Sequence, residues 1–113
     1  MHEMDIAQSI LDITLANAAK HQAKQVTKIQ LLVGKLTGIE PEALEFCFGV
    51  LAAESIAAQA ILEIVLVPLV VLCRDCGRKF TVERYRFLCE NCGSANLEML
   101  SGRELRVEHL EVD

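Results

Sequence analysis

The chain has 113 residues, 52% of them hydrophobic and 4% aromatic, with a formal net charge of −5. That suffices for one modest domain, or one with a small appendage, around an aliphatic core, and it excludes a disordered chain. The acidic balance argues against nucleic acid as the main partner, because phosphate recognition wants a basic surface.

From Met4 to about His21, apolar side chains at Ile6, Ala7, Ile10, Leu11, Thr14, Leu15 and Ala18 recur at helical spacing, with Gln8, Asp12 and Asn17 on a polar face. Asp5 suits a cap or a first-turn position, where negative charge meets the positive end of the helix dipole. This stretch has neither the basic n-region nor the small-residue cleavage site of a signal peptide. KQVTKIQLLVGK then changes period: Ile29, Leu31 and Val33 alternate with Lys28, Gln30 and Leu32, predicting a strand with one wet face, closed by Gly34.

GIEPEALEFCFGVLAAES predicts a second helix, with Pro41 in its first turn, Glu40 and Glu42 beside it, and Leu44, Cys47, Phe48 and Leu51 in one stripe. On that stripe Cys47 reads as a small buried hydrophobe and not as a metal ligand. AILEIVLV predicts a second strand that stops near Pro68. The longer run AILEIVLVPLVVL is interrupted by Glu63 and Pro68 and falls short of the ~20 residues of a membrane span, so no membrane association is expected. RELRVEHLEVD predicts a third strand whose alternation slips near Glu108, as at a bulge or a frayed end. His21 at a helix end reads as solvated or capping carbonyls, and His109 as a surface residue.

The third strand needs partners, and the first two strands are the ones available. The expected fold is therefore α+β: two helices packed on a small three-stranded sheet, with a zinc-ribbon-like four-cysteine module inserted before the last strand. The expected boundaries are 1–69 plus 97–113 for the main domain and 70–96 for the module.

CRDCG at 73–77 and CENCG at 89–93 carry the strongest chemical signal. Matched pairs of this kind point to a metal site and a cytoplasmic setting more than to a secreted disulfide framework. In each turn the two sulfurs converge on one ion, and the following glycine permits the tight bend that aims N–H groups at them. Cys73, Cys76, Cys89 and Cys92 thus supply four soft ligands, suiting tetrahedral zinc with Zn–S bonds of ~2.3 Å and leaving no open position for catalysis. The spacer GRKFTVERYRFL has room for a short hairpin, but Phe80, Tyr85, Phe87 and Leu88 cannot build a core. Metal binding, worth ~10–16 kcal/mol in small zinc modules, is expected to hold this segment. Rubredoxin-type iron takes the same spacing, and disulfides or a redox dithiol are the remaining alternatives; colour separates iron from zinc.

The sequence begins MHE. With Met1 retained, the α-amino group, the His2 backbone nitrogen and the His2 imidazole lie in succession and can close two fused chelate rings on one ion. One more donor completes a planar four-coordinate shell, which suits Ni(II) or Cu(II) and is poor for zinc. The donors must shed protons, so binding weakens in acid. A chelate at a chain end is easily dismantled, which suits delivery over storage. On its own so short a motif recurs by chance, and that ordinary explanation outweighs the chelate. HEMDI is not a metalloprotease HExxH, since Ile6 stands where the second His would be.

Taken together, MHEMDIAQSIL, KQVTKIQLLVGKLTGIEPEALEFCF, AILEIVLVPLVVLC, the CRDC and CENCG pairs and the closing strand resemble the HypA/HybF family of hydrogenase nickel-maturation proteins, over essentially the whole chain. The resemblance implies a nickel metallochaperone, not an enzyme, that helps load nickel–iron hydrogenase, with transient Ni(II) and structural Zn(II). It implies His2 as the main nickel ligand, aided by backbone or terminal nitrogen from Met1 to Glu3. Glu3 would be an accessory ligand or orienting acid, Glu40 a further acid before the second helix, and the four cysteines the zinc ligands. Residues 1–69 plus 97–113 would then be the nickel-binding domain. A nickel-handling GTPase and the hydrogenase large subunit are the implied partners; without a GxxxxGK motif ending in Ser or Thr, the chain is not itself that GTPase. Homodimer formation and delivery to urease stay open. Some relatives add a zinc-module histidine to the nickel shell, and residues 70–96 contain none.

Three other functions fit less well. For a nucleic-acid adaptor, the segment between Cys73 and Cys92 holds five basic and three acidic residues, whereas the remainder holds 6 and 13, a net −7. Four thiolates with one Zn(II) cancel the small basic excess. Electron transfer needs bound iron, and the motifs assemble no acid pair, triad or open metal site for an enzyme.

Overall fold

The two long amphipathic stretches form helices at the predicted positions. In this computed structural model, which describes residues 2–113, α1 spans Glu3–Lys20 and α2 spans Pro41–Ala52. Pro41 opens α2, where its missing N–H costs nothing and its fixed φ suits the first turn. The strands are β1 (Val26–Gly34), β2 (Ile61–Val67), β3 (Val70–Cys73), β4 (Lys79–Thr81), β5 (Leu97–Ser101) and β6 (Leu105–Val112), with a short 3-10 turn at Lys35–Thr37. Among the described residues no helix is long and apolar enough to cross a membrane.

The chain divides into two compact units. The first takes in the stretches up to Leu32, Ile39–Val65 and Leu105–Asp113. Here α1 packs on α2 and on β6, and β1 lies between β2 and β6 in a three-stranded sheet. The buried stripe of α1 is Ile6, Ala7, Ile10, Leu11, Thr14 and Ala18, and that of α2 is Leu44, Phe48 and Ala52. Cys47, expected to be buried, is only half-buried. Ile29 and Leu31 are fully buried on the central strand, while Lys28 and Gln30 on its other face meet Glu63 at 3.2 and 2.7 Å. β6 departs from strict alternation, its half-buried Val107 and Leu110 standing three apart.

The second unit is Val33–Gly38 with Leu66–Glu104, wider than the expected 70–96. Its sheet has the order β4-β3-β5, with both pairings antiparallel. Val71 stands opposite Phe80 on one side and Met99 on the other. The segment does have a core: Leu69, Val71 and Val82 are buried, and Leu36, Phe80, Leu97 and Met99 pack against them. The core escapes notice in residues 70–96 because Leu36, Leu69, Leu97 and Met99 lie outside that stretch. The hairpin also differs from expectation. It joins β3 to β4 across the first cysteine knuckle, so only Lys79–Thr81 of the spacer is strand, and the rest is turn and loop.

Candidate metal centres

β3 delivers Cys73 at its end, and the chain turns at once to Cys76; Cys89 and Cys92 form a second, matching turn. Gly77 and Gly93 take φ of 80° and 77°, a left-handed conformation open to glycine, and each donates its N–H to the carbonyl of its knuckle's first cysteine at 2.8 Å. The four Sγ atoms lie within 4.8 Å of one another, with Cys73–Cys92 and Cys76–Cys89 at 3.6 Å. Sulfurs around a tetrahedral ion at ~2.3 Å stand about 3.8 Å apart, so the donor set fits zinc. All five cysteines are free, and 3.6 Å is far beyond the ~2.05 Å of a disulfide.

The electrostatics also call for a cation. The Asn91 side-chain amide, then the Arg78 backbone N–H, pull the Cys76 thiol down to about 6. The Ser94 N–H pulls on Cys92 likewise, but burial and the thiols of Cys73, Cys89 and Cys76 outweigh it and push Cys92 up to about 12. Four crowded sulfurs cannot all ionise alone, and a divalent cation supplies the missing charge.

Two clamps hold the knuckles face to face. Asp75, inside the first knuckle, accepts from Ser94 Oγ at 2.5 Å and Asn96 Nδ2 at 3.1 Å, just past the second. Those bonds, Ser94 foremost, hold its carboxyl below the usual range. Reciprocally, Glu90 inside the second knuckle accepts from Arg78 Nε and Nη2 at 3.3 and 3.1 Å, just past the first. Sequence reading missed these residues, though a signal existed: each knuckle carries an interior acid, and a donor follows the other knuckle's glycine.

At the other candidate site, His2 is the N-cap of α1, with φ −90° and ψ 140°. Its carbonyl accepts from the Asp5 and Ile6 N–H groups at 3.1 and 3.3 Å, while its side chain is exposed and makes no capping bond. Asp5 is therefore a first-turn acid, alongside Glu3, and not the cap. Glu3 Oε2 accepts from the Glu40 N–H at 3.4 Å, and Glu40 is the N-cap of α2. The Glu3 carboxylate thus reaches the backbone of Glu40 where both helices begin. Met1, also expected as a ligand, lies outside the described residues. Among those residues, the four cysteines are the group of metal-ligating side chains near enough to share an ion; His2, Glu3 and Glu40 are not brought together in that way. His21 caps α1, its Nδ1 at 3.0 Å from the Asn17 carbonyl, and His109 meets Glu111 at 3.1 Å on the surface.

An α+β unit and a second unit of short β-strands that brings four thiols together are the architecture of a small metal-binding protein. The chain belongs to the HypA family of hydrogenase/urease nickel-incorporation metallochaperones, whose family model matches residues 1–112. It is a family of metallochaperones and not of enzymes. The hydrogenase maturation factor HypA of Pelodictyon phaeoclathratiforme is 41% identical over 113 residues, covering all of this chain and 97% of that one. HypA of Rhodopseudomonas palustris is 38% identical with full coverage of both. The solution structure of the Ni metallochaperone HypA from Helicobacter pylori superimposes with a TM-score of 0.69 at 27% identity, covering 99% of this chain and 97% of that chain. Another HypA solution structure gives 0.73 at 27% identity, covering 99% and 96%.

Proposed function

We propose that this protein is a nickel metallochaperone of hydrogenase maturation. It takes up Ni(II) through the Met1 amine and the His2 backbone and ring nitrogens, with Glu3 assisting and Glu40 nearby, and passes the ion on in the cytoplasm. A nickel-handling GTPase is its co-worker and the hydrogenase large subunit its recipient. The observation that carries this reading is the family match over residues 1–112.

The local structure is compatible with that chemistry. The first N–H groups of a helix have no intrahelical acceptor, so giving up the His2 amide proton breaks no helix bond. The positive ends of two helices would repel a cation, and the first-turn acids Glu3, Asp5 and Glu42, with Glu40, offset them. A nitrogen-rich planar shell then selects nickel over zinc. The nickel-binding domain is the first unit. In the second, Cys73, Cys76, Cys89 and Cys92 hold Zn(II), which cross-links the two knuckles and, fully ligated by thiolates, serves structure.

Elemental analysis and calorimetric nickel titration of untagged protein test both sites. One zinc per chain is expected, and His2→Ala should lose nickel binding while keeping zinc and its circular dichroism. Undiminished nickel affinity in His2→Ala, or nickel bound at the sulfurs, would sink the delivery reading. A red iron form would overturn the zinc assignment alone.

A further inference from the structure

Residues 83–88 (ERYRFL) are the part of the second unit that its own packing explains least. Arg84 and Tyr85 take φ of 53° and 57°, and the Arg86 N–H closes the turn on the Glu83 carbonyl at 3.1 Å. Two successive positive φ values suit a turn of the Asn-Gly kind, and side chains with a Cβ resist them. The strain wins no burial: Tyr85 is 62% exposed, Leu88 45% and Phe87 39%.

The charges are equally unsatisfied. Arg74 and Arg78 pair with Glu98 and Glu90, at 3.8 and 3.1 Å. Lys79, Arg84 and Arg86 have no carboxylate within ion-pair range among the described residues. Beside the loop is a cavity of about 450 Å³, with Phe80, Val82 and Leu88 as its apolar wall and Glu83, Arg86 and Glu90 among its polar groups. Exposed Arg and Tyr flanking an apolar hollow are the residue types on which protein interfaces concentrate their binding energy.

We infer that this loop and its cavity are a docking surface for an acidic peptide segment of another protein. An apolar side chain of that segment enters the hollow between Phe80 and Leu88, its carboxylates pair with Arg84 and Arg86, and Tyr85 lies against it. Charge complementarity selects this occupant. Arg84 and Arg86, without carboxylate partners, call for the acids, and the wall of Phe80, Val82 and Leu88 calls for an aliphatic side chain, which a nucleic-acid strand lacks. Arg84, Tyr85 and Arg86 are not among the proposed metal ligands, so this inference goes beyond the nickel reading and stands or falls separately.

Fluorescence anisotropy on zinc-loaded, full-length protein tests it, with a fluorescein-labelled short peptide of alternating Glu and Leu as the probe. Saturable binding is expected, weakened by added salt and by at least about tenfold in the double variant Arg84→Glu, Arg86→Glu. Tyr85→Gly, which relaxes the backbone at that φ and so preserves the fold, should also weaken it. Zinc content and nickel titration should be unchanged in both. No binding, equal binding by Tyr85→Gly or by a folded double variant, or tighter binding of a labelled oligo-dT than of the peptide would overturn the inference.

Discussion

Thr14 lies in the apolar stripe of α1, fully buried, and its hydroxyl has no hydrogen-bond partner among the described residues. The sequence placed it correctly on the helix but gave no sign that its oxygen would go unpaired, since a threonine can bond back to its own helix. Replacing the hydroxyl by a methyl removes a stranded polar group at nearly constant shape. Thr14→Val should gain about 1 kcal/mol in urea unfolding of the zinc-loaded protein, and a loss of stability would show the oxygen to be satisfied. Glu63 is the opposite case, a half-buried acid well supplied with partners. Its carboxyl is held below the usual range by the Gln30 amide first, then by Lys28. A depressed folded-state value means that the contribution is present above the ordinary carboxylate range and lost as pH falls through the lowered value. Gln30→Ala should move the Glu63 titration upward, read by carboxylate NMR; an unmoved midpoint would assign the shift to Lys28 alone.

At the scale of elements, α1, β1, α2, β2 and β6 were legible because each is long enough to show a period: a helical stripe, or alternation such as Ile29, Leu31, Val33. β4 and β5 were not, being three and five residues long. Their partner β3 is equally short, and the cysteine spacing drew the module boundary inside them. β1 ends at Gly34 as predicted, but the reason for a glycine there was not legible. Gly34 read as a simple strand stop, yet a Cβ there would sit 2.1 Å from the Gly102 carbonyl oxygen. Nearby, Leu36 N–H donates to the same oxygen at 2.8 Å, and Gly102 itself takes φ +123° with Leu69 against it. Two glycines let the β1 exit cross the turn between β5 and β6, and no local pattern could announce a contact between stretches so far apart. Gly34→Ala should force backbone to move and lose at least about 2 kcal/mol in the same unfolding assay. Near-neutral behaviour would show that the crossing is slack.

For the whole molecule, the four-cysteine constellation was readable because its residues cluster in two knuckles of the sequence, whereas the nickel donors proposed at the chain start rest on the family likeness. The hydrogen bond from the Glu40 N–H to Glu3 was not legible in the sequence, since it depends on where two separate helices begin. Two units with separate cores imply that stripping the second metal site need not unfold the first unit. Without a cation Cys92 holds its proton most firmly, and the knuckles are left to the Asp75 and Glu90 clamps and to weaker contacts such as Asn91 Nδ2 with Cys76 Sγ at 3.6 Å. These clamps are exposed, solvent-screened polar contacts, far weaker than the metal binding that holds such modules. Chelation in EDTA should therefore raise amide hydrogen exchange through 73–96 while the helical circular dichroism of α1 and α2 persists. Strands β3 to β5 should lose protection only partly, because Leu69, Val71 and Val82 still pack together. Nickel binding at His2 should survive in the stripped protein once the chelator is removed. Loss of helical signal in step with zinc release would mean that the two units fold as one, and the separation of roles between sulfur site and chain start would have to be abandoned.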